Sequence, residues 1–127
     1  MNLEKVIFAF FILLAATLNF GFVYGDIGNP QHHHMWEFFA AVIVNLVATV
    51  MKFGDRTQIG AIHLASSLVA LMQLFAAAIV WFFAAPAANG LLTESTVASI
   101  VSLSAGALLA NIVSVAILVV ETTMQRR

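Results

Sequence analysis

The chain has 127 residues, of which 62% are hydrophobic and 9% are charged, and its mean hydropathy is +1.02. A soluble domain of this length could not hide so much apolar surface from water, so the composition excludes an ordinary soluble protein and indicates that lipid is the solvent. The net charge of −1 without a basic patch argues against a nucleic-acid partner, and the lack of cysteine excludes disulfides and thiolate metal sites.

Four apolar stretches follow one another along the chain, and each is long enough to cross a hydrocarbon core about 30 Å thick. The helices predicted for them cover residues 3–24, 30–53, 58–83 and 95–122. Because the connections between them are short, consecutive helices should be antiparallel neighbours. We therefore expect an all-α membrane protein, built as a single domain with four transmembrane helices in an up-down-up-down bundle.

Turn and capping residues mark the predicted helix ends. Gly54 is a candidate for the left-handed residue that often ends a helix, here the second one. Asp55 or Thr57 can cap the third helix, and Thr93 or Ser95 can cap the fourth, because their side-chain oxygens accept free N–H groups of a first turn.

The basic residues give the chain a predicted orientation. They are found only before the first stretch, between the second and third, and after the fourth: Lys5, Lys52, Arg56, Arg126 and Arg127. Basic residues near the ends of spans stay on the cytoplasmic side. Both termini and the connection after the second helix should therefore be cytoplasmic, with the other two connections outside, in a bacterial inner membrane.

Several polar side chains fall at membrane depth. Asn45, Gln73 and Asn111 lie near the middle of their predicted spans, Asn19 lies in the outer half of the first helix, and His63 lies about one turn inside the third. A buried amide is costly unless it is hydrogen-bonded, so these side chains should face protein or water. They could line a path for an ion, or they could bond to one another and only fix the helix register.

Small residues recur every four positions along the fourth helix, at Ala98, Ser102, Gly106, Ala110 and Ser114. Small side chains at this spacing let two membrane helices approach closely. The pattern predicts a helix-packing face, either within the bundle or between subunits.

Three consecutive histidines, His32, His33 and His34, precede the second helix on its predicted outer side, close to Glu37. Imidazole and carboxylate groups are ligands for divalent transition metals, although a closed site would need Asp26 or a second subunit. The same histidines could sense pH, or they could simply bond to water and lipid head groups.

The segment Val23–Ile27, followed by Pro30, resembles the end of the selectivity filter of potassium channels, where a Thr-Val-Gly-Tyr-Gly-Asp run presents backbone carbonyls to the ion. Tyr24, Gly25 and Asp26 carry the resemblance, which covers about a twentieth of the chain. The glycine that precedes the tyrosine in that family is absent here. The resemblance implies an ion-binding turn at the outer mouth.

No set of nucleophile, base and orienting residue is present, so we expect no enzyme. The predicted outer face carries Asp26, Glu37 and Glu94 without a base, which favours cations. The leading hypothesis is a homo-oligomeric channel or facilitator for a small ion, more readily a cation, in the lipid bilayer. Its path would follow the symmetry axis between protomers, lined by Asn45 and Asn111 with Gln73. The alternatives are a non-transporting scaffold or accessory subunit of a larger complex, and an outward-facing metal-binding or pH-sensing protein.

Overall fold

The computed structural model describes residues 3–25, 34–55, 57–87 and 93–125, and these residues form four α-helices. Helix α1 covers Leu3–Val23, α2 covers Met35–Lys52, α3 covers Gln58–Ala87 and α4 covers Glu94–Gln125. Each helix is long and apolar enough to cross a membrane. The prediction of four long apolar helices is confirmed, and the chain fits an integral membrane protein.

Two helix boundaries differ from the predicted ones by four residues or more. Helix α2 begins at Met35, not at residue 30, because His34 has an extended backbone with φ −81° and ψ 129°. Helix α3 continues through Pro86 to Ala87, although the proline was expected to lie in the connection. A proline in the last turn removes only one helical N–H bond, so it does not force an earlier end.

The start of α3 is capped by two residues that act together. The Thr57 hydroxyl oxygen accepts the backbone N–H of Gly60 at 2.9 Å. The Asp55 carboxylate accepts the Thr57 hydroxyl at 2.7 Å and the Thr57 backbone N–H at 3.0 Å. Asp55 therefore fixes the residue that caps the helix, and both predicted candidates take part.

Of the other residues predicted to mark helix ends, Thr93 does so and Gly54 does not adopt the expected conformation. The Thr93 hydroxyl accepts the Thr96 backbone N–H at 3.1 Å and so caps α4, as expected. Gly54 does not adopt the left-handed conformation, because α2 ends in a tight turn in which the Phe53 N–H donates to the Val50 carbonyl. Among the described glycines, only Gly25, just after α1, has a positive φ, of 107°.

Each helix packs against its neighbours in the chain, and α1 also packs against α4. Side chains from the start of α1, the end of α2, the start of α3 and the end of α4 meet at one end of the molecule. Lys5 of α1 pairs there with Glu121 of α4, and Phe8 of α1 contacts Lys52 of α2 and His63 of α3. We call this the α2–α3 end, after the turn that it carries.

The opposite end is closed by an aromatic group formed by Phe22 of α1, Phe38 of α2 and Trp81 of α3. The Phe22 and Phe38 ring centroids are 5.1 Å apart, and those of Phe38 and Trp81 are 5.4 Å apart. Leu74, Val97, Ile100 and Val101 belong to the same apolar cluster. The four helices are therefore joined at one end by charged and polar groups and at the other by aromatic and aliphatic ones.

The described helices have an apolar outside, and part of their interior is polar, which is unusual for a soluble protein. Large apolar side chains such as Phe10, Trp36, Ile43 and Phe82 are exposed along the helices, while histidine, asparagine, serine and threonine are buried between them. Such an arrangement is stable only where lipid covers the outside, because water would leave a large apolar surface unprotected.

Candidate functional site

Eight polar residues are at most 1% exposed in the described part of the chain, and together they form what we call the polar core. Its members are Asn19, Asn45, Thr49, His63, Ser67, Ser104, Asn111 and Ser114. All four helices contribute to it. On α4, the members and Glu121 are spaced by three or seven residues and so share one face, from Ser104 to Glu121 over about 25 Å at 1.5 Å per residue.

Many polar atoms of this core have no hydrogen-bond partner among the described residues. Both side-chain amide atoms of Asn19 and of Asn111 are in this position, as are both ring nitrogens of His63. The same holds for the hydroxyls of Ser67 and Ser104. Buried polar groups in proteins are normally paired with protein or with ordered water. An interior with so many unpaired groups has the chemistry to hold water or a dehydrated ion.

The hydrogen bonds that the core does make are mostly local. The Asn45 amide donates to the Ala41 carbonyl at 2.8 Å, and the Thr49 hydroxyl donates to the Asn45 carbonyl at 2.8 Å. Both bonds lie within α2, so neither ties α2 to another helix. The Asn45 side-chain oxygen keeps no partner among the described residues.

One hydroxyl pair connects α3 with α4. The Ser66 hydroxyl donates to the His63 carbonyl at 3.1 Å, and it also contacts the Ser114 hydroxyl at hydrogen-bond distance. Because a hydroxyl has one proton and Ser66 uses it on His63, Ser114 is the donor of this second bond. A short chain of hydroxyls therefore begins next to His63 and enters the core.

Gln73 of α3 lies against Gly106 of α4. A Cβ atom added at Gly106 would overlap the Gln73 side-chain amide. The Gln73 oxygen is buried without a partner among the described residues. The glycine therefore provides the room that lets Gln73 reach the interior.

The predicted small-residue ridge on α4 does not act as one continuous face. Gly106 and Ser114 contact α3, and Ala110 packs beside the apolar cluster. Ser102, in contrast, is exposed. The reason is geometric, since a step of four residues turns the helix by about 40° and the four steps from Ala98 to Ser114 cross from one face to another.

The burial of Asn45 and Asn111 corrects one detail of the expected ion path. Both side chains are 0% exposed within a single protomer, as is that of Asn19. A symmetry axis between protomers is lined by residues on the protomer surface. These asparagines therefore face the inside of one bundle, not an axis shared by several.

The α2–α3 end holds a buried histidine next to a charged pair. His63 is 0% exposed, and its Nε2 lies 3.7 Å from Oε1 of Glu121, beyond hydrogen-bond distance. The other Glu121 oxygen, Oε2, lies 3.5 Å from the Lys5 ammonium. Sequence reasoning missed this combination, although the predicted antiparallel order already put all three residues at the same end.

Two more charged groups complete this end. The Lys52 ammonium lies 4.2 Å from the centroid of the Phe8 ring. The Phe8 ring also packs edge to face against the His63 ring, with 5.1 Å between their centroids. Lys52 also pairs with Asp55 at 3.4 Å. Hydrogen bonds from the Thr57 hydroxyl and backbone N–H hold the pKa of the Asp55 carboxyl below its ordinary value, and the Lys52 charge acts in the same direction.

The predicted outer mouth is described in part. Val23 is the last residue of α1, and the Tyr24 N–H still donates to the Phe20 carbonyl at 2.9 Å. The Glu37 carboxylate, in the first turn of α2, lies directly over Gly21 of α1. Asp26 lies outside the described residues, so the ion-binding turn stays a prediction.

Residues 32–122 match the Family of unknown function (DUF6394). The chain belongs to this family. The matched segment contains α2 and α3 and runs to Thr122 in α4, whereas α1 precedes it. No curated protein and no solved structure matches the chain.

The DUF6394 match begins at the first of the three histidines predicted to bind metal. His32 and His33 lie outside the described residues, and His34 is exposed at the start of α2. Within the described ranges, no three metal-ligating side chains come together. The outer metal site of this DUF6394 chain stays a prediction.

Proposed function

We propose that the protein is a small membrane channel or facilitator that carries a small cation through the interior of each protomer. The observation that carries this proposal is the polar core, with its many unpartnered atoms. A purely structural network would pair these groups with one another, because in hydrocarbon each unpaired group costs free energy. Groups left free inside a bundle are those that a passing ion or water can use.

The proposed arrangement in the membrane follows from the charges. The bundle is up-down-up-down in a bacterial inner membrane, with both termini and the α2–α3 end on the cytoplasmic side, where the lysines and arginines lie. The cation passes Asn111 and Gln73 along the polar core. Assembly into a homo-oligomer remains a separate prediction, since a path inside one protomer does not require it.

Flux measurements on the purified protein in liposomes test the proposal. The protein should raise cation flux above that of empty liposomes, and Asn45→Leu or Asn111→Leu should lower it by about tenfold or more, because an apolar side chain removes about 1.4 kcal/mol or more of ion stabilisation. Ser102→Leu is the matched control, since it removes a polar group from the exposed face of α4. Equal flux in all variants, or none above empty liposomes, would contradict the proposal.

A further inference from the structure

We propose that His63 and Glu121 form a proton-binding site at the α2–α3 end of the polar core, and that the proton is the cation carried. This inference rests on the proposed function, because it names the ion for the same path. Its first support is the position of His63. The ring is completely buried, yet neither ring nitrogen has a hydrogen-bond partner among the described residues.

Every helix supplies a group to the surroundings of His63. Lys5 and Phe8 come from α1, Lys52 from α2 and Glu121 from α4, while Asp55 follows α2. The two lysines and two carboxylates named here balance one another while the imidazole is neutral. Adding one proton to the imidazole changes that balance by one unit. The site is therefore able to respond to a single proton.

Glu121 is placed to receive the charge when it forms. One of its oxygens faces Lys5 at 3.5 Å and the other faces His63 Nε2 at 3.7 Å. A proton taken up on Nε2 gives an imidazolium N–H that points at this second oxygen. A charged hydrogen bond of this kind is about 2.7–2.9 Å long, so closing the gap takes a movement of about 1 Å. Loss of the proton restores the neutral ring, and no other bond changes.

The same site is unsuited to a metal cation. A dehydrated alkali or divalent metal ion needs about six oxygen ligands. Here one carboxylate is already paired with Lys5, and the Lys52 ammonium lies on the nearby Phe8 ring. A proton needs only one lone pair, and imidazole supplies it with an ordinary pKa of about 6.5.

A route for the proton from the His63 ring into the core has to begin with water, because neither ring nitrogen has a hydrogen-bond partner among the described residues. The Ser66 and Ser114 hydroxyls are joined by a hydrogen bond that ends on the backbone carbonyl of His63, not on its ring, and the buried Ser67 lies one turn after His63. Hydroxyls both donate and accept, so they can pass a proton on. Beyond Ser114, the unpartnered atoms of Asn111 are suited to hold the water that continues the chain.

Direct titration of the imidazole tests the site independently of transport. The chain has four histidines, so His32, His33 and His34 changed to Ala leave His63 as the only imidazole. In this variant in lipid nanodiscs, ¹⁵N NMR should show the ring taking up a proton reversibly as the pH is lowered. Glu121→Gln should lower the midpoint by about one pH unit, because the negative charge that stabilises the imidazolium is lost. Glu94→Gln, at the other end of α4, should not.

Two results of this titration would overturn the site. One is a ring that stays neutral down to pH 5. The other is a midpoint that is the same with Gln at position 121. Either result would overturn the proton-binding site, regardless of the flux measured in liposomes.

Flux of protons, compared with flux of potassium, tests the ion. His63→Phe keeps an aromatic ring against Phe8 and should reduce proton flux by at least tenfold, whereas Ser102→Leu on the exposed face of α4 should leave it unchanged. Potassium flux should be no higher than in empty liposomes. Potassium flux at the level of proton flux, or proton flux that survives His63→Phe, would overturn the inference and leave the proposed function standing. If neither ion crosses, both the proposed function and the carried proton fail, and the titration alone decides whether His63 binds protons.

Discussion

The Gln73 side-chain amide of α3 occupies the space above Gly106 of α4. A methyl group at position 106 must displace this amide, which is the far end of a flexible side chain. The displacement is cheap, and alanine is favoured over glycine inside a helix by about 0.8–1.0 kcal/mol. The displacement lowers stability and the higher helix propensity of alanine raises it, but only the displacement moves Gln73.

We therefore predict that Gly106→Ala changes the free energy of unfolding by less than about 1 kcal/mol while it alters ion flux. Gly106→Leu, which has no room at the α3–α4 contact, should destabilise the bundle by about 1–3 kcal/mol. Thermal unfolding followed by circular dichroism in detergent checks stability. Gly54→Ala is the control, because nothing lies within 4 Å of a Cβ there. If Gly106→Ala has the same flux as the unchanged protein, Gln73 does not line the ion path.

The second prediction concerns unpartnered amides. Neither side-chain amide atom of Asn111 has a partner among the described residues. An apolar side chain of similar size has no buried polar atoms to desolvate, so Asn111→Leu should raise the free energy of unfolding by about 1 kcal/mol. Together with lower flux, this would be a gain in stability at the expense of function.

Ser114→Ala is the matched comparison for Asn111→Leu, because the Ser114 hydroxyl does have a partner in Ser66. It should cost about 0.6 kcal/mol, the usual value for such a contact in a membrane bundle. Chemical unfolding in mixed micelles measures both variants. A loss of stability in Asn111→Leu larger than in Ser114→Ala would show that Asn111 has a purely structural role.

The third prediction is a pH dependence that originates at the start of α3. Hydrogen bonds from Thr57 lower the pKa of Asp55 in the folded protein. A carboxyl with a lowered folded pKa binds fewer protons than in the unfolded chain, so its stabilisation is complete above the unfolded value of about 3.9. It is lost as the pH falls through the lower folded value.

Asp55→Asn should therefore destabilise the protein at pH 6 and have a smaller effect at about pH 2. The difference in melting temperature between the two proteins, measured across this range, isolates Asp55 from the other carboxylates. Glu94→Asn provides the comparison at the start of α4, where the Thr93 hydroxyl is the cap. A difference that is independent of pH would contradict the assignment.

The fourth prediction concerns the aromatic group at the opposite end. Phe38 is completely buried and packs against both Phe22 and Trp81. Phe38→Ala should cost about 3 kcal/mol, the low end of the range for soluble cores, because lipid removes part of the hydrophobic contribution. Phe82→Ala is the control, since 72% of Phe82 is exposed. Phe38→Ala should also raise proton flux, because we expect the aromatic group to be the apolar barrier at this end of the bundle and the substitution leaves a gap in it. Unchanged flux would place the barrier elsewhere.

The helices themselves could be predicted from the sequence, because four long apolar stretches leave few alternatives. The direction of each side chain could not. In a soluble helix the apolar stripe marks the buried face. Here lipid and the protein interior are both apolar, so residues such as Leu71 and Met72 look alike although one is buried and the other is exposed.

For the same reason the polar residues were the best guide to the interior. Asn45 and Asn111 were expected to face protein or water, and they lie inside the bundle. The contact between His63 and Glu121 was missed because their sequence separation is large and no pattern along either helix joins them. Only the packing of α3 against α4 brings them together.

The division of the interior into a polar part and an aromatic end has an electrical consequence. From Ser104 to Val97 the described interior of α4 holds no buried polar side chain, a distance of about 10 Å. If the polar core fills with water, as the proposed function requires, it supports little voltage, and most of the membrane potential would then act across this short segment. Since this segment is about one third of a 30 Å hydrocarbon core, the local field would be about three times the average. For an elementary charge that crosses beside Phe38 and Trp81, the electrical work would then be almost the whole of the roughly 2.3 kcal/mol per 100 mV that crossing the membrane requires.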